Sequence, residues 1–162
     1  MSKKSKKNPI GLDASQANAL AQALNQLLAN YQIFYMNTRG YHWNIRGAAF
    51  FELHLKFEEH YTDLLTKVDE IAERVLTLGG QPLHAFSDYL ANSQIKEAKK
   101  VVQGKACVQG LVSGYQHLIE LERDLLKLAA DAGDEGTAAL MSDYIAQQEK
   151  HLWMLNAWLD RA

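Results

Sequence analysis

Apolar residues recur every three or four positions along most of this 162-residue chain, which is the spacing of helices with one buried face. The strongest example runs over 48–78, contains no proline and ends before the glycine pair Gly79-Gly80. Its apolar positions are Phe57, Tyr61, Leu64, Leu65, Val68, Ile71, Ala72, Val75 and Leu76. The pattern predicts one long amphipathic helix in this part of the chain.

Three more stretches have the same period, over 15–44, over 105–130 and from Asp134 to near the end of the chain. Ser15 and Asp134 are suitable caps for the first and last of these helices. The link over 79–105 is too long for a hairpin turn, and it holds Pro82 and a short helical segment over 87–91. Because no strand-like alternation competes, we expect an all-α fold, an antiparallel four-helix bundle with a short extra helix in the crossover between helices two and three.

Composition places the chain among ordinary globular domains. Hydrophobic residues make up 48% of it, which is enough to bury a single core, and the net charge of −2 does not indicate a nucleic-acid binder. With Cys107 as its one cysteine, the chain cannot form an internal disulfide, which favours a reducing compartment. No apolar run is long enough for a membrane span or a signal sequence, so we expect a soluble cytoplasmic protein.

The first twelve residues differ from the rest of the chain. They contain no acidic residue and carry four lysines, which are Lys3, Lys4, Lys6 and Lys7. This composition predicts a disordered lysine-rich tail over 1–12, followed by one bundle domain over 13–162. A mobile cationic arm binds phosphate without sequence preference, and many copies of it on an oligomer would add avidity. The alternative is that the tail only keeps the protein soluble.

Candidate chemistry lies on and just before the second helix, in a set of potential metal ligands without a cysteine. His54 and Glu58 are neighbours one helical turn apart, and so are Asp69 and Glu73. His42 precedes them at the end of the first helix. Imidazole and carboxylate ligands without a thiolate suit iron, manganese or zinc. Each i,i+4 pair could instead be an ion pair or a solvated helix face.

The spacing of these residues divides them into two half-sites. Fifteen residues separate His54 from Asp69, about 22 Å along a helix, which is too far for one metal centre. A second copy of the helix, antiparallel across a two-fold axis near Asp63, would place the first half-site of one chain against the second half-site of the other. Such a contact would create two identical sites per dimer, and His42 could complete each one.

A metal centre inside one subunit is not expected. Di-iron bundles of that kind carry Glu-x-x-His motifs on two helices, and this chain has none. The other histidines, which are His60, His84, His117 and His151, are interpreted as packing or polar-face residues, and Cys107 as a small core residue. An inert bundle whose acids merely solvate a helix remains an alternative.

Two segments, YHWNIRGAAFFELHLKFEE and DEIAERVLTLGGQPL, closely resemble the Dps family of ferritin-like mini-ferritins. The resemblance implies a ferroxidase centre between two-fold-related subunits, with five residues as its catalytic metal ligands: His42, His54, Glu58, Asp69 and Glu73. The acid at the third of these positions is often Asp in the family, so Glu58 is a departure by one methylene. Trp43 resembles the tryptophan that packs near the iron site, although it could be only a core anchor.

The resemblance also implies an assembly and a reaction. The family forms hollow dodecamers that oxidise Fe(II) to Fe(III), preferably with hydrogen peroxide, and store ferric mineral, which protects DNA from oxidative damage. Some members bind DNA through lysine-rich tails, so nonspecific DNA compaction and a nucleoid location form the alternative function. Acids near the junction of helices three and four line an iron pore in the family, and Glu135 is the candidate here.

Overall fold

The structure, a computed structural model, describes residues 6–160 as a bundle of helices. Four are long and one is short: α1 (Ala14–Asn44), α2 (Phe50–Thr77), α3 (Phe86–Asn92), α4 (Gly104–Asp131) and α5 (Glu135–Trp158). Short turns join α1 to α2 and α4 to α5, whereas α3 lies in the long link between α2 and α4 and contacts α1. The all-α prediction with an extra crossover helix is confirmed. Within the described residues, no helix has the length and apolar character that crossing a membrane requires.

The first and last long helices begin at aspartate caps. The Asp13 carboxylate accepts hydrogen bonds from the backbone N–H groups of Ser15 and Gln16, at 2.9 and 3.0 Å. The expected cap at Ser15 is therefore wrong by two positions, because Ser15 already lies in the first turn. Asp134 caps α5 as expected, accepting a 3.1 Å hydrogen bond from the backbone N–H of Thr137.

The segment before α1 is held against the bundle. Asn8 accepts from the backbone N–H of Leu12 at 2.9 Å and donates to the carbonyl of Leu78 at 3.2 Å. The carbonyl of Lys6 accepts from Ala14. Part of the segment that the sequence assigns to the tail over 1–12 thus contacts the bundle, because Asn8 ties this turn to the end of α2. Lys3 and Lys4 lie outside the described residues.

Close packing of α4 on α1 fixes the part of α1 that carries His42. A Cβ atom at Gly114 would lie 2.1 Å from the Phe34 ring, and one at Gly110 would lie 2.3 Å from the Tyr41 hydroxyl. Only glycine at these two positions lets the aromatic side chains of α1 reach the backbone of α4. Large, fully buried side chains of the core come from all four long helices: Tyr31, Phe34, Phe57, Leu64, Leu111, Tyr115 and Tyr144.

Candidate metal centre

His42 and His54 form a stacked pair where α1 turns into α2. Their ring centroids are 3.8 Å apart and the ring planes differ by 16°. His42 lies in the last turn of α1 and is 8% exposed, and His54 lies in the second turn of α2 and is partly buried. The short turn over 45–49 therefore brings together two residues that are twelve positions apart in the sequence.

Each imidazole of the pair is hydrogen-bonded to the backbone of the other residue. The Nδ1 atom of His42 lies 2.7 Å from the His54 carbonyl oxygen, and the Nδ1 atom of His54 lies 2.8 Å from the His42 carbonyl oxygen. A carbonyl oxygen only accepts, so both Nδ1 atoms must carry the proton. In a neutral ring, the Nε2 atom then keeps a free lone pair. Metal-binding histidines in proteins have the same arrangement: one ring nitrogen donates a hydrogen bond, and the other nitrogen binds the metal.

Aromatic side chains fix this pair from both sides. The Phe50 ring stacks on His54 at a centroid distance of 5.0 Å, and Tyr61 places its edge on His42 at 5.2 Å. Trp43 is 59% exposed, so it is not the core anchor that its position allowed. Its ring instead lies 4.9 Å from the guanidinium carbon of Arg39, a cation–π contact on the surface.

The stacking geometry decides how many ions the pair can bind. An imidazole lone pair lies in the plane of its ring, and metal–nitrogen bonds are about 2 Å long. Two rings that are nearly parallel, with centroids 3.8 Å apart, do not direct their lone pairs at one point within that distance, so they would have to rotate to share an ion. The arrangement would instead suit two ions, one at each Nε2 atom, and two-metal sites have ions about 3.5–4 Å apart.

The three predicted carboxylate ligands are exposed on α2 and have no protein partner in the described chain. Glu58 lies one turn after His54, whereas Asp69 and Glu73 are near the other end of the helix. Among residues 6–160, no three His, Cys, Asp or Glu side chains lie close enough together to hold a metal ion. The structure thus brings His42 and His54 together in one chain and does not bring Asp69 and Glu73 to them.

The interior of the bundle contains a polar network that the sequence analysis missed. Glu122 is fully buried, and its Oε1 atom accepts hydrogen bonds from the Tyr31 hydroxyl at 2.5 Å and from Gln148 at 2.8 Å. Its Oε2 atom has no protein partner. Burial raises the pKa of Glu122 to about 7, although these two hydrogen bonds act in the opposite direction. An acid on the apolar stripe of α4, between Ile119 and Leu125, was the signal that could have revealed it.

Two other polar residues are used for packing. His60 is buried, and its Nδ1 atom lies 2.7 Å from the Tyr115 hydroxyl. Burial, followed by the nearby His151 and Lys56, lowers the pKa of His60 to about 3. Lys67 is buried on α2, where its ammonium group pairs with Asp63 and donates to Gln147 at 3.0 Å. These residues fill the centre of the bundle.

The predicted pore residue lies at the start of α5. Glu135 is exposed there, so it is free to line an opening in an assembly, and its pore role stays a prediction. The preceding Asp134 is only 3% exposed and accepts a 2.5 Å hydrogen bond from Arg74 on α2. Asp134 therefore has a structural role, in which it caps α5 and pairs with Arg74.

Comparison with known proteins gives consistent results. A family model described as a ferritin-like domain matches residues 21–162. The crystal structure of a Dps protein from Vibrio cholerae O1 superposes with a TM-score of 0.94 at 61% identity, covering 98% of this chain and 99% of that one. The chain belongs to the Dps family. That crystal structure is described as a member of a broad superfamily of ferritin-like diiron-carboxylate proteins.

Two further Dps relatives show how widely the likeness extends. The DNA protection during starvation protein of Porphyromonas gingivalis is 43% identical over 148 residues, 91% of this chain and 93% of that protein. The Dps protein from Bacillus brevis has a TM-score of 0.87 at 36% identity, covering 90% of this chain and 97% of that one. The family resemblance seen in the sequence is therefore confirmed over nearly the whole length of the chain.

Proposed function

We propose that this Dps-family protein is a ferroxidase and iron-storage protein that oxidises Fe(II), preferably with hydrogen peroxide, at sites shared between two copies. The observation that carries the proposal is the stacked pair His42–His54, in which both Nε2 atoms are free while Asp69 and Glu73 lie unpaired at the far end of the same helix. The ligands of each site would be His42, His54 and Glu58 of one copy and Asp69 and Glu73 of the other.

An exposed apolar surface on α1 and α3 supports a contact with a second copy. A groove of about 500 Å³ runs between α1 and α3, and Met36, Phe86 and Leu90 line it with largely exposed side chains. Phe86 is 81% exposed and adjoins the half-exposed Met36 and Leu90, and a contiguous apolar patch of this kind is typical of a contact surface. A second copy on this surface would bury it, and the family's hollow dodecamer would follow from such dimers.

The donor set suits the oxidation of iron as a substrate. Neutral imidazoles hold the ions without adding charge, and anionic carboxylates favour Fe(III) over Fe(II). Two Fe(II) ions each give up one electron, and one hydrogen peroxide molecule takes both electrons and two protons to become two water molecules. Because adjacent ions deliver both electrons together, peroxide is consumed without hydroxyl radical, and DNA would be protected. The Fe(III) product would then be stored as mineral inside the shell.

Hybrid oligomers test whether the site is shared. One chain would carry His42→Ala and His54→Ala, and the other would carry Asp69→Ala and Glu73→Ala. Each homo-oligomer should oxidise Fe(II) no faster than buffer when the reaction with peroxide is followed optically. In a co-refolded mixture, half of the dimers are hybrids with one intact site, so roughly a quarter of the wild-type rate should return.

The outcome separates the alternatives. A mixture as inactive as its components would contradict a shared site. If both variants retain wild-type activity, the protein is not a ferroxidase at these residues. Glu120→Ala serves as the matched control, because it removes an exposed acid from α4, away from both half-sites.

Nonspecific DNA binding is a second function that we propose for the lysine-rich end of the chain. Lys6 and Lys7 are exposed, and relatives carry the name DNA protection during starvation protein. Replacing Lys3, Lys4, Lys6 and Lys7 by serine is a better test than deletion, because deletion would also remove the contacts of Asn8.

The serine variant should lose DNA retardation in a gel at low salt and keep its iron oxidation rate. Wild-type retardation should itself weaken steeply as salt rises. Equal retardation of both proteins would leave the lysines without a role in DNA binding. A cytoplasmic location, associated with the nucleoid, would accompany this activity.

A further inference from the structure

Arg39 lies one helical turn before His42 on α1, among aromatic rings. Its guanidinium carbon is 4.9 Å from the Trp43 ring centroid, 5.5 Å from that of Tyr61 and 5.8 Å from that of Tyr35. Tyr61 in turn contacts His42 with its edge. Arg39 thus places a positive charge against the aromatic rings next to the histidine half-site.

The guanidinium is incompletely paired within the described chain. It donates to the Tyr35 hydroxyl, its Nε–H is buried without an acceptor, and it forms no ion pair with any residue in 6–160. A buried donor without a partner is costly, and such groups in native proteins normally find an acceptor. Because the rings hold the guanidinium in place, its open donors indicate an acceptor that residues 6–160 of one chain do not supply.

The register of two antiparallel α2 helices identifies an acceptor. If His54 of one helix faces Glu73 of the other, Glu58 of the first helix also faces Asp69 of the second, since both pairs are centred on the same point of the helix. Tyr61, whose ring contacts the Arg39 guanidinium, is three residues from Glu58, about 4.5 Å of helix rise, and seven from His54, about 10 Å. Asp69 of a second copy would therefore be the nearer of its two carboxylates to Arg39.

We propose that Arg39 is a positioning residue whose guanidinium binds the carboxylate of Asp69 from a second copy and holds it towards the histidine pair. The inference rests on the proposed two-fold site, and it adds a contact that forms before any metal arrives. A guanidinium presents parallel donors that match the two oxygens of a carboxylate, so binding one oxygen fixes the direction of the other. Neither Asp69 nor Arg39 forms an ion pair within residues 6–160, and the Nε–H group of Arg39 lacks an acceptor there, so each residue could supply the partner that the other lacks.

A double-mutant cycle on metal-free protein tests the contact without depending on catalysis. Arg39→Gln and Asp69→Asn should each weaken the association of chains by about tenfold or more, measured by sedimentation on dilution in the presence of a chelator. The dissociation constant of the double variant should be no larger than that of the more weakly associating single variant, since both changes break the same contact. Multiplied effects would mean that the two residues do not meet, and the proposal would be wrong. Circular dichroism at high concentration checks that each variant keeps its helices.

Steady-state oxidation of Fe(II) tests the positioning role. Without Arg39 to hold Asp69, the KM for Fe(II) should rise by about tenfold in Arg39→Gln, as for other residues that orient metal ligands, with a smaller change in kcat. Arg39→Lys, which keeps the charge and one donor, should recover part of this loss. A KM that falls would show that the cation mainly repels iron, and this outcome would overturn the proposal.

Controls keep the two proposals apart. Arg123→Gln removes a half-exposed arginine whose partner is Glu149 in its own chain, and it should leave both association and KM unchanged. If Asp69→Ala abolishes oxidation while Arg39→Gln behaves as wild type, the shared site stands and the role of Arg39 fails. If neither variant alters oxidation, the proposed ferroxidase site itself fails.

Discussion

Glu122 and His60 are buried in the same bundle and respond to pH in opposite directions. The pKa of Glu122 is raised to about 7 from an ordinary value near 4.5, so folding disfavours its ionised form. The pKa of His60 is lowered to about 3 from 6.5, so folding disfavours its protonated form. As pH falls from about 6.5 to 4.5, His60 costs stability while Glu122 restores it, and the two effects largely cancel.

Glu122→Gln should make that cancellation visible. Above pH 7 the unfolded chain is stabilised by ionising Glu122, so its removal should raise stability there by up to about 3 kcal/mol, at about 1.4 kcal/mol per pKa unit. Glutamine can still accept from Tyr31 and Gln148. The gain in melting temperature at fixed protein concentration should be larger at pH 8 than at pH 5. An equal gain at both values would contradict the account.

The candidate ligands could be predicted from sequence, but their arrangement could not. The i,i+4 spacing of His54 with Glu58 and of Asp69 with Glu73 follows from helix geometry alone. The reciprocal hydrogen bonds of His42 and His54 depend on how a short turn folds two helix ends together, which no periodicity encodes. Glu122 could not be recognised from the helix pattern, because a single acid on an apolar stripe has no clear meaning until its hydrogen-bond partners are known.

At the scale of helices, Asp134 connects the start of α5 to α2. It caps α5 through the backbone N–H of Thr137 and accepts from Arg74 on α2, while Arg74 also donates to the Thr137 hydroxyl at 2.9 Å. Gly136 leaves the room that the guanidinium occupies, since a Cβ there would lie 2.9 Å from it. The turn between α4 and α5 is thereby fastened to α2.

Replacing this aspartate should separate its two roles. Asp134→Ala loses the cap, worth about 1 kcal/mol, and leaves Arg74 partly buried without its partner, so we expect a total loss of roughly 3 kcal/mol. Asp134→Asn keeps the cap and loses only the charge, and it should fall between the alanine variant and wild type. Thermal unfolding of the three proteins at equal concentration measures the order. An asparagine variant as unstable as the alanine variant would mean that the cap contributes little.

Helix positions were predicted to within one or two residues, since period and caps are local signals. The cap of α1 is Asp13 and not the expected Ser15, a shift of two positions. The turn before it depends on a distant contact, since Asn8 holds it to the end of α2, seventy residues away in sequence. The composition of that segment contains no information about Leu78, so this contact could not be predicted from it.

For the whole molecule, the exposed apolar groove between α1 and α3 and the separation of the candidate ligands into two half-sites predict that association and iron oxidation depend on each other. Phe86→Glu places a charge in the middle of the surface that a second copy would bury. We expect loss of association and of Fe(II) oxidation together, with the helical content of the chain unchanged by circular dichroism. Ser87→Glu, which adds the same charge at the adjacent exposed position on another side of α3, is the matched control.

Sedimentation and peroxide-driven oxidation of the same samples measure both quantities. A Phe86→Glu protein that remained monomeric and oxidised iron at the wild-type rate would show that one chain suffices. The sequence alone could suggest assembly only through the distance between half-sites. The surface that would mediate it became visible only once the crossover helix was placed beside α1.

The crossed hydrogen bonds between His42 and His54 have a consequence for durability. Each ring is anchored to the other residue's main-chain carbonyl, so oxidative damage to one imidazole leaves the hydrogen bond of its undamaged neighbour in place. If the proposed reaction with peroxide takes place here, chemical wear would therefore accumulate one histidine at a time, and the surviving ring of a damaged pair would keep its orientation.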